Sequence, residues 1–126
     1  MIIAIKTDTP VAELVLVRAA DDVVTHTWHA DRSLARDLLA VCDEFLQRHA
    51  VTWNDVTGII VYRGPGSFTG LRIGITVANT IAYAHHLPIV GTDSDDWLVI
   101  GRRRLQLGDD DHQVAPLYGA EPRVTN

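Results

Sequence analysis

"GIIVYRGPGSFTGLRIGI", Gly58 to Ile75, decides how this chain is read. A β-branched apolar run over Thr57–Arg63 reads as a strand and stops at Gly64-Pro65-Gly66, and a helical pattern opens directly after it. A glycine loop between a strand and a helix can cradle a phosphate, present a nucleophile, or simply turn a corner. A phosphate-binding P-loop needs a lysine after its last glycine, and Gly70 is followed by Leu71. The dinucleotide fingerprint fails as well, because Gly64, Gly66 and Gly70 carry one residue too many before the third glycine. A nucleophile elbow needs glycines two positions either side of its serine, and Ser67 has Pro65 and Thr69 there. Pro65 also lacks the backbone N–H that anion binding at a helix start uses. The segment Gly64, Pro65, Gly66, Ser67, Phe68 and Thr69 is therefore expected to be a structural loop, with Ser67 or Thr69 as the helix cap. Arg72 stands in the first helical turn, where the helix dipole disfavours a cation. It either has an anionic partner, in this chain or another, or is simply solvated.

The helix that follows, Gly70 to His86, has two properties. Gly70, Gly74, Ala78 and Ala82 recur every four residues and form a stripe that lets another backbone come close. In addition, no Asp, Glu, Lys or Arg stands between Arg72 and His85. Ile73, Val77, Ile81 and Ala84 are apolar, and Thr76, Asn79, Thr80 and Tyr83 are polar without charge. Helices that face water normally carry ions on the wet side. The stripe can pack on the chain's own sheet, with the first helix and the C-terminal segment covering the rest. The more economical solution for so small a domain is a second protein molecule over the outer face. The expected interface is Gly70, Arg72, Ile73, Gly74, Val77, Ala78, Ile81 and Ala82, with Leu38 and Phe45 from the first helix.

Around this segment, Ile2–Thr7, Val11–Arg18 and Val23–His29 read as three strands of an antiparallel meander. A helix capped by Asp31 or Ser33 runs to about His49. Leu34, Leu38, Cys42 and Phe45, joined by Leu39 and Leu46, form its apolar stripe, and Arg36, Asp37, Asp43, Glu44, Gln47 and Arg48 its charged face. Pro88 ends the second helix and Ile89–Thr92 makes a fifth strand. The order predicts an α/β fold with a mixed five-stranded sheet and two main helices. Residues 95–105 read as either a short helix or a strand, Gly108–Gln113 as an acidic loop, and Val114–Asn126 as an extended tail.

The bulk numbers set limits. At 126 residues the chain fits one domain. A net charge of −5 argues against direct nucleic-acid binding, which needs a positive footprint. Arg102-Arg103-Arg104 is the only basic cluster and is expected to be a solvated run. The single cysteine, Cys42, excludes an internal disulfide and fits a reducing compartment. No apolar run approaches the ~20 residues of a membrane span, and "MIIAIKTDTP" does not read as a secretory signal. A cytoplasmic protein with no membrane partner is expected. The histidines show no zinc-protease spacing, and His85-His86 is expected to cap a helix end. Asp93, Asp95 and Asp96 resemble a metal cluster only in composition, and no nucleophile, base and orienting acid can be argued from spacing. No catalytic, metal or cofactor-binding residue is expected.

"GPGSFTGLRIGITVANTIA" (Gly64–Ala82), with "IIAI" (Ile2–Ile5) and "LPIVG" (Leu87–Gly91), resembles the bacterial TsaB family. The match runs from Ile2 to about Thr92. A weaker one lies in "APLYGAEPRVT" (Ala115–Thr125), where Gly119 and Ala120 depart from the family's apolar residue and arginine. The resemblance implies the first lobe of an ASKHA (actin and hexokinase) fold over residues 1–103, with 104–126 as a reduced second lobe and tail. It implies a non-catalytic subunit that pairs through helices with TsaD, its paralogue, in threonylcarbamoylation of tRNA adenosine next to the anticodon. tRNA would be met only through that complex, and a homodimer would use the same helices. Lys6 stands where the family usually has Asp, and a lysine cannot hold Mg²⁺ as a carboxylate does. The rival readings are a small nucleotide-binding phosphotransferase-like domain, a peptidase of the kind once suggested for this wider group, and a self-associating remnant.

Overall fold

The structure is a computed structural model, and it describes residues 1–66 and 68–117, with the backbone alone for Phe68. Ser67 and Tyr118–Asn126, and with them part of the structural loop and of the C-terminal match, lie outside the described residues. The strands are β1 (Ile2–Lys6), β2 (Val11–Ala19), β3 (Asp22–His29), β4 (Gly58–Tyr62) and β5 (Ile89–Thr92). The helices are α1 (Leu34–Arg48), α2 (Phe68–His85) and α3 (Trp97–Gln106). The sheet order is β3-β2-β1-β4-β5. β2 pairs antiparallel with β1 and β3, while β4 runs parallel to β1 and β5. The mixed five-stranded sheet thus stands as expected. The ambiguous segment resolves as a third helix, which runs through residue 103 and so across the boundary drawn between two lobes.

Strand parity sends Ile3, Ile5, Leu14, Leu16, Ile59 and Val61 to one face of the sheet, all fully or almost fully buried beneath α1 and α2. Leu34, Leu38, Cys42, Phe45 and Leu46 are the inward side of α1. Leu39 departs from the expected stripe and is 49% exposed, because it sits one residue round the helix from Leu38. Phe45 is held between the rings of His26 and His49, with centroids 5.9 and 5.2 Å away. Burial in this layer, with Asp43 nearby, pushes the Cys42 thiol up to about 12. The first helix also starts differently from its expected cap. Asp31–Ser33 forms a 3₁₀ turn, and the Ser33 hydroxyl donates to the Ala30 carbonyl at 2.7 Å instead of accepting from the helix.

The opposite face carries α3. Gly101 lets this helix sit against Ile60, since a Cβ there would lie 2.6 Å from Ile60 Cγ2. Trp97 meets Tyr62 edge-on at 6.1 Å between centroids. Arg104 is not the solvated arginine expected of the Arg102–Arg104 run. Its guanidinium donates to Asp109 at 2.7 Å, to both oxygens of Asp111, and to the Gly91 carbonyl at 3.1 Å. Arg102 donates to the Ala20 carbonyl at 3.2 Å, and Arg103 is exposed. The acidic loop is thereby strapped along the outer side of β5.

Asp111 is partly buried, which alone would raise its pKa. The hydrogen bonds from Arg104 and the Gly91 N–H outweigh that and hold it below the usual carboxylate value. A depressed folded-state pKa contributes stability that is complete above the unfolded value of roughly 4 and is lost as pH falls through the folded one. Asp111→Asn should therefore lower the urea midpoint at pH 7. The gap to the unsubstituted chain should narrow as pH falls below the unfolded value of roughly 4 and close once the folded-state carboxylate protonates.

Candidate interaction surface

The glycine corner sits at the carboxyl ends of the parallel strands β1 and β4, where α/β sheets commonly bind ligands. Here the protein's own atoms fill it. Lys6 donates to Asp8 at 2.7 Å and lies 4.6 Å from the centre of the Tyr62 ring. The Tyr62 hydroxyl donates to the Pro65 carbonyl at 3.1 Å. Burial, reinforced by the negative charge of Asp8, raises the Tyr62 pKa and keeps the phenol protonated. Gly66 has room only for a hydrogen, since a Cβ there would press on Asp8. Gly64 takes φ +123°, a backbone conformation that L side chains rarely adopt, and its Cβ position is filled by the Leu117 carbonyl. Gly64 and Gly66 are thus demanded by close packing and turn geometry. Thr69 lies in the first turn of α2. Among the described residues, no three side chains of metal-ligating type come together, Asp93, Asp95 and Asp96 included.

The small-residue stripe of α2 is the clearest departure from expectation. Gly74 is buried with its α-carbon against the Thr7 side chain, and the Thr7 hydroxyl donates to the Gly70 carbonyl at 2.8 Å. Ala78, Ile81 and Ala82 are 0%, 3% and 3% exposed, beside Leu71 and Ile75. Leu38 and Phe45 are equally buried in α1. The residues expected at a partner surface therefore divide. Gly74, Ala78, Ile81, Ala82, Leu38 and Phe45 belong to the chain's own core, because a helix crossing this close to a sheet turns its smallest side chains inward. Arg72 is exposed, and Gly70, Ile73 and Val77 are half-buried.

The outward face of α2 is made of Arg72, Ile73, Thr76, Val77, Thr80 and Tyr83, the last 87% exposed. The Thr80 hydroxyl donates to the Thr76 carbonyl at 2.8 Å, so it spends its donor inside the helix. Asn79 contributes nothing to this face. Its side-chain amide donates to the Val114 carbonyl at 3.0 Å and accepts from the Val114 N–H at 2.9 Å, pinning the C-terminal segment to α2. Between α1 and α2, an open groove of about 430 Å³ is lined by Ala35, Thr69, Arg72, Ile73, Thr76 and Val77. A smaller cleft adjoins it through Thr69 and Ile73 and reaches Pro10, Asp31 and Leu34. Among the described residues Arg72 forms no salt bridge. At the other end of the helix pair, Trp53 donates from its indole to Asp43 at 2.8 Å and stacks on His85 at 5.1 Å. No local sequence pattern announces this bridge, because it depends on where two distant helix ends meet.

Residues 27–116 match the family described as TsaD: tRNA N6-adenosine threonylcarbamoyltransferase. The chain belongs to the TsaD family. Within it, the likeness over nearly the whole length is to TsaB. The tRNA threonylcarbamoyladenosine biosynthesis protein TsaB of Bacillus subtilis is 26% identical over 119 residues, 94% of this chain and 50% of that protein. The solved structure of YeaZ from Pseudomonas aeruginosa superimposes with a TM-score of 0.69 at 28% identity, covering 85% of this chain and 49% of that one. The tRNA N6-adenosine threonylcarbamoyltransferase of Lacticaseibacillus casei is 44% identical over 61 residues, 48% of this chain and 18% of that enzyme. The chain thus spans about half the length of its TsaB-like relatives and less than a fifth of that enzyme's. No helix among the described residues is long and apolar enough to cross a membrane.

The division of α2 into a buried and an open side has a direct test. Ala78→Glu should destabilise the chain by about 3 kcal/mol or more, because it drives an unpaired carboxylate into the core. Thr76→Glu, two positions away on the open side, should stay within about 0.5 kcal/mol. Urea unfolding of both variants measures the difference.

Proposed function

We infer that the chain is a scaffold subunit that pairs with a TsaD-like paralogue in the biosynthesis of threonylcarbamoyladenosine on tRNA, and that it has no catalytic centre of its own. One observation carries the reading. The open side of α2 presents a run of uncharged side chains, from Ile73 to Ala84, introduced by a single arginine with no salt bridge among the described residues. Such a face loses little hydration when another protein covers it, and the arginine supplies the one directional contact. The groove beside it gives the partner's side chains a concave place to insert. The interface is therefore Arg72, Ile73 and Val77 with Thr76, Thr80 and Tyr83. The buried stripe acts indirectly by fixing the height and rotation of the helix.

The reading needs no cofactor and no metal. Lys6 and Asp8 occupy the corner where a nucleotide's phosphates would approach, and a paired lysine is not a magnesium ligand. tRNA is met through the assembled complex, in keeping with the net charge of −5. The work is placed in the cytoplasm, where tRNA is.

Co-purification with the TsaD-like enzyme of the same organism tests this. Arg72→Glu combined with Val77→Arg should abolish association while the far-ultraviolet circular dichroism stays unchanged. Saturable ATP binding by the isolated chain, with no association to the paralogue, would favour the small nucleotide-binding domain instead.

A further inference from the structure

The two edges of the sheet are finished differently. Along β5 every outward backbone group of Ile89 and Gly91 is taken. Ile89 N–H donates to the Asp110 carboxylate at 3.1 Å, and its carbonyl accepts from Asp111 N–H at 2.7 Å. Gly91 N–H donates to the Asp111 carboxylate at 2.8 Å, and its carbonyl accepts from Arg104. That edge cannot add a strand. β3, at the other edge, pairs with β2 alone. Ala30 N–H donates to the Pro10 carbonyl at 3.0 Å and extends that ladder by one residue. Backbone groups alternate sides along an antiparallel strand. Val24, His26 and Trp28 therefore turn theirs towards β2, and Val23, Thr25, Thr27 and His29 turn theirs outward. No backbone or side-chain group among the described residues bonds to those outward groups. Exposed edges are usually guarded by proline or by charge, and Val23–His29 contains no Pro, Asp, Glu, Lys or Arg.

We propose that β3 is a seam at which two copies of this chain join, edge to edge and antiparallel, so that their sheets become one. The sequence of the strand selects a second copy as the occupant. A two-fold axis normal to the sheet keeps each face on its own side, so odd residues meet odd and even meet even. Setting His26 opposite its counterpart uses the whole of Val23–His29. Thr25 then faces Thr27, and Val23 faces His29, and these are the four residues with outward groups. Each outward N–H and carbonyl finds a partner. On the other face Val24 meets Trp28 at the closer, non-hydrogen-bonded positions, a β-branched residue against an aromatic one. Asp22 lies opposite Ala30, so no carboxylate opposes another within the strand; Asp21 and Asp31, the next pair in this register, lie beyond its ends. Moving the axis to Thr25 sets Asp22 against Trp28, and moving it to Thr27 shortens the overlap. The seam lies on a different part of the molecule from the open side of α2, so a copy on β3 and a paralogue on α2 can be bound together.

Sedimentation and hydrogen exchange over a concentration series of the purified chain test the seam. The expected result is a monomer–dimer equilibrium in which the amides of Val23, Thr25, Thr27 and His29 slow as the dimer forms. Those of Val24, His26 and Trp28 should be slow throughout. Thr27→Pro removes an outward N–H without touching the β2 ladder, and should raise the dimer dissociation constant about tenfold or more. Thr25→Lys, on an exposed side chain, should do the same and decides the matter if the proline variant fails to fold. A chain that stays monomeric to millimolar concentration would overturn the proposal. So would a dimer that survives both substitutions, or one whose outward amides still exchange fast, as expected if copies join through their helices.

Discussion

The approach of α2 to the sheet depends on one close contact: the Thr7 hydroxyl reaches the Gly70 carbonyl at 2.8 Å because Gly74, one turn on, has no Cβ in the way. From that contact the small residues continue inward along the helix, and Ala78 and Ala82 are buried with Gly74. A helix seated this deeply buries its small side and leaves a fixed set of side chains outside. Since the sequence between Arg72 and His85 holds no ionic residue, the outer side is poor in charge whichever way the helix is turned. The seating determines which residues a partner meets, and the composition determines what kind of surface it finds.

The same logic explains the glycine corner. Lys6, Asp8, Tyr62 and Pro65 hold it shut from inside, and the backbone around Leu117 closes it from outside, where Leu117 N–H donates to the Arg63 carbonyl at 2.6 Å. A corner packed by side chains and a returning segment leads from β4 towards α2. That is a different use of glycines from cradling a phosphate.

Much of the fold was legible because its signals are local. Alternating β-branched residues marked the strands, and Leu34, Leu38, Cys42, Phe45 and Leu46 marked the inner side of α1 through their helical spacing. α3 was not legible, because its fully buried contacts are only Trp97 and Gly101, four residues apart, and its charges crowd into one turn. The role of Arg104 depends on Asp109 and Asp111 folding back along β5, an arrangement no local pattern announces. At the candidate interface, composition showed that α2 lacks ions but not which side faces the sheet. A stripe of small residues fits a close neighbour of either kind, and only the placement of Thr7 beneath Gly74 distinguishes them. The bond between Asn79 and Val114 escaped for the same reason: it joins positions 35 apart in sequence.

The central claim is that the uncharged outer side of α2 is the surface a TsaD-like paralogue covers. The most direct measurement places a single reactive thiol on it. Cys42 is buried and its thiol stays protonated, so a thiol introduced as Thr76→Cys would be the fast-reacting site. Its labelling rate should be high for the chain alone and should fall by about tenfold or more on titration with the paralogue, as in a desolvated interface. An unchanged rate at saturating paralogue, with the complex shown to be formed, would contradict the account.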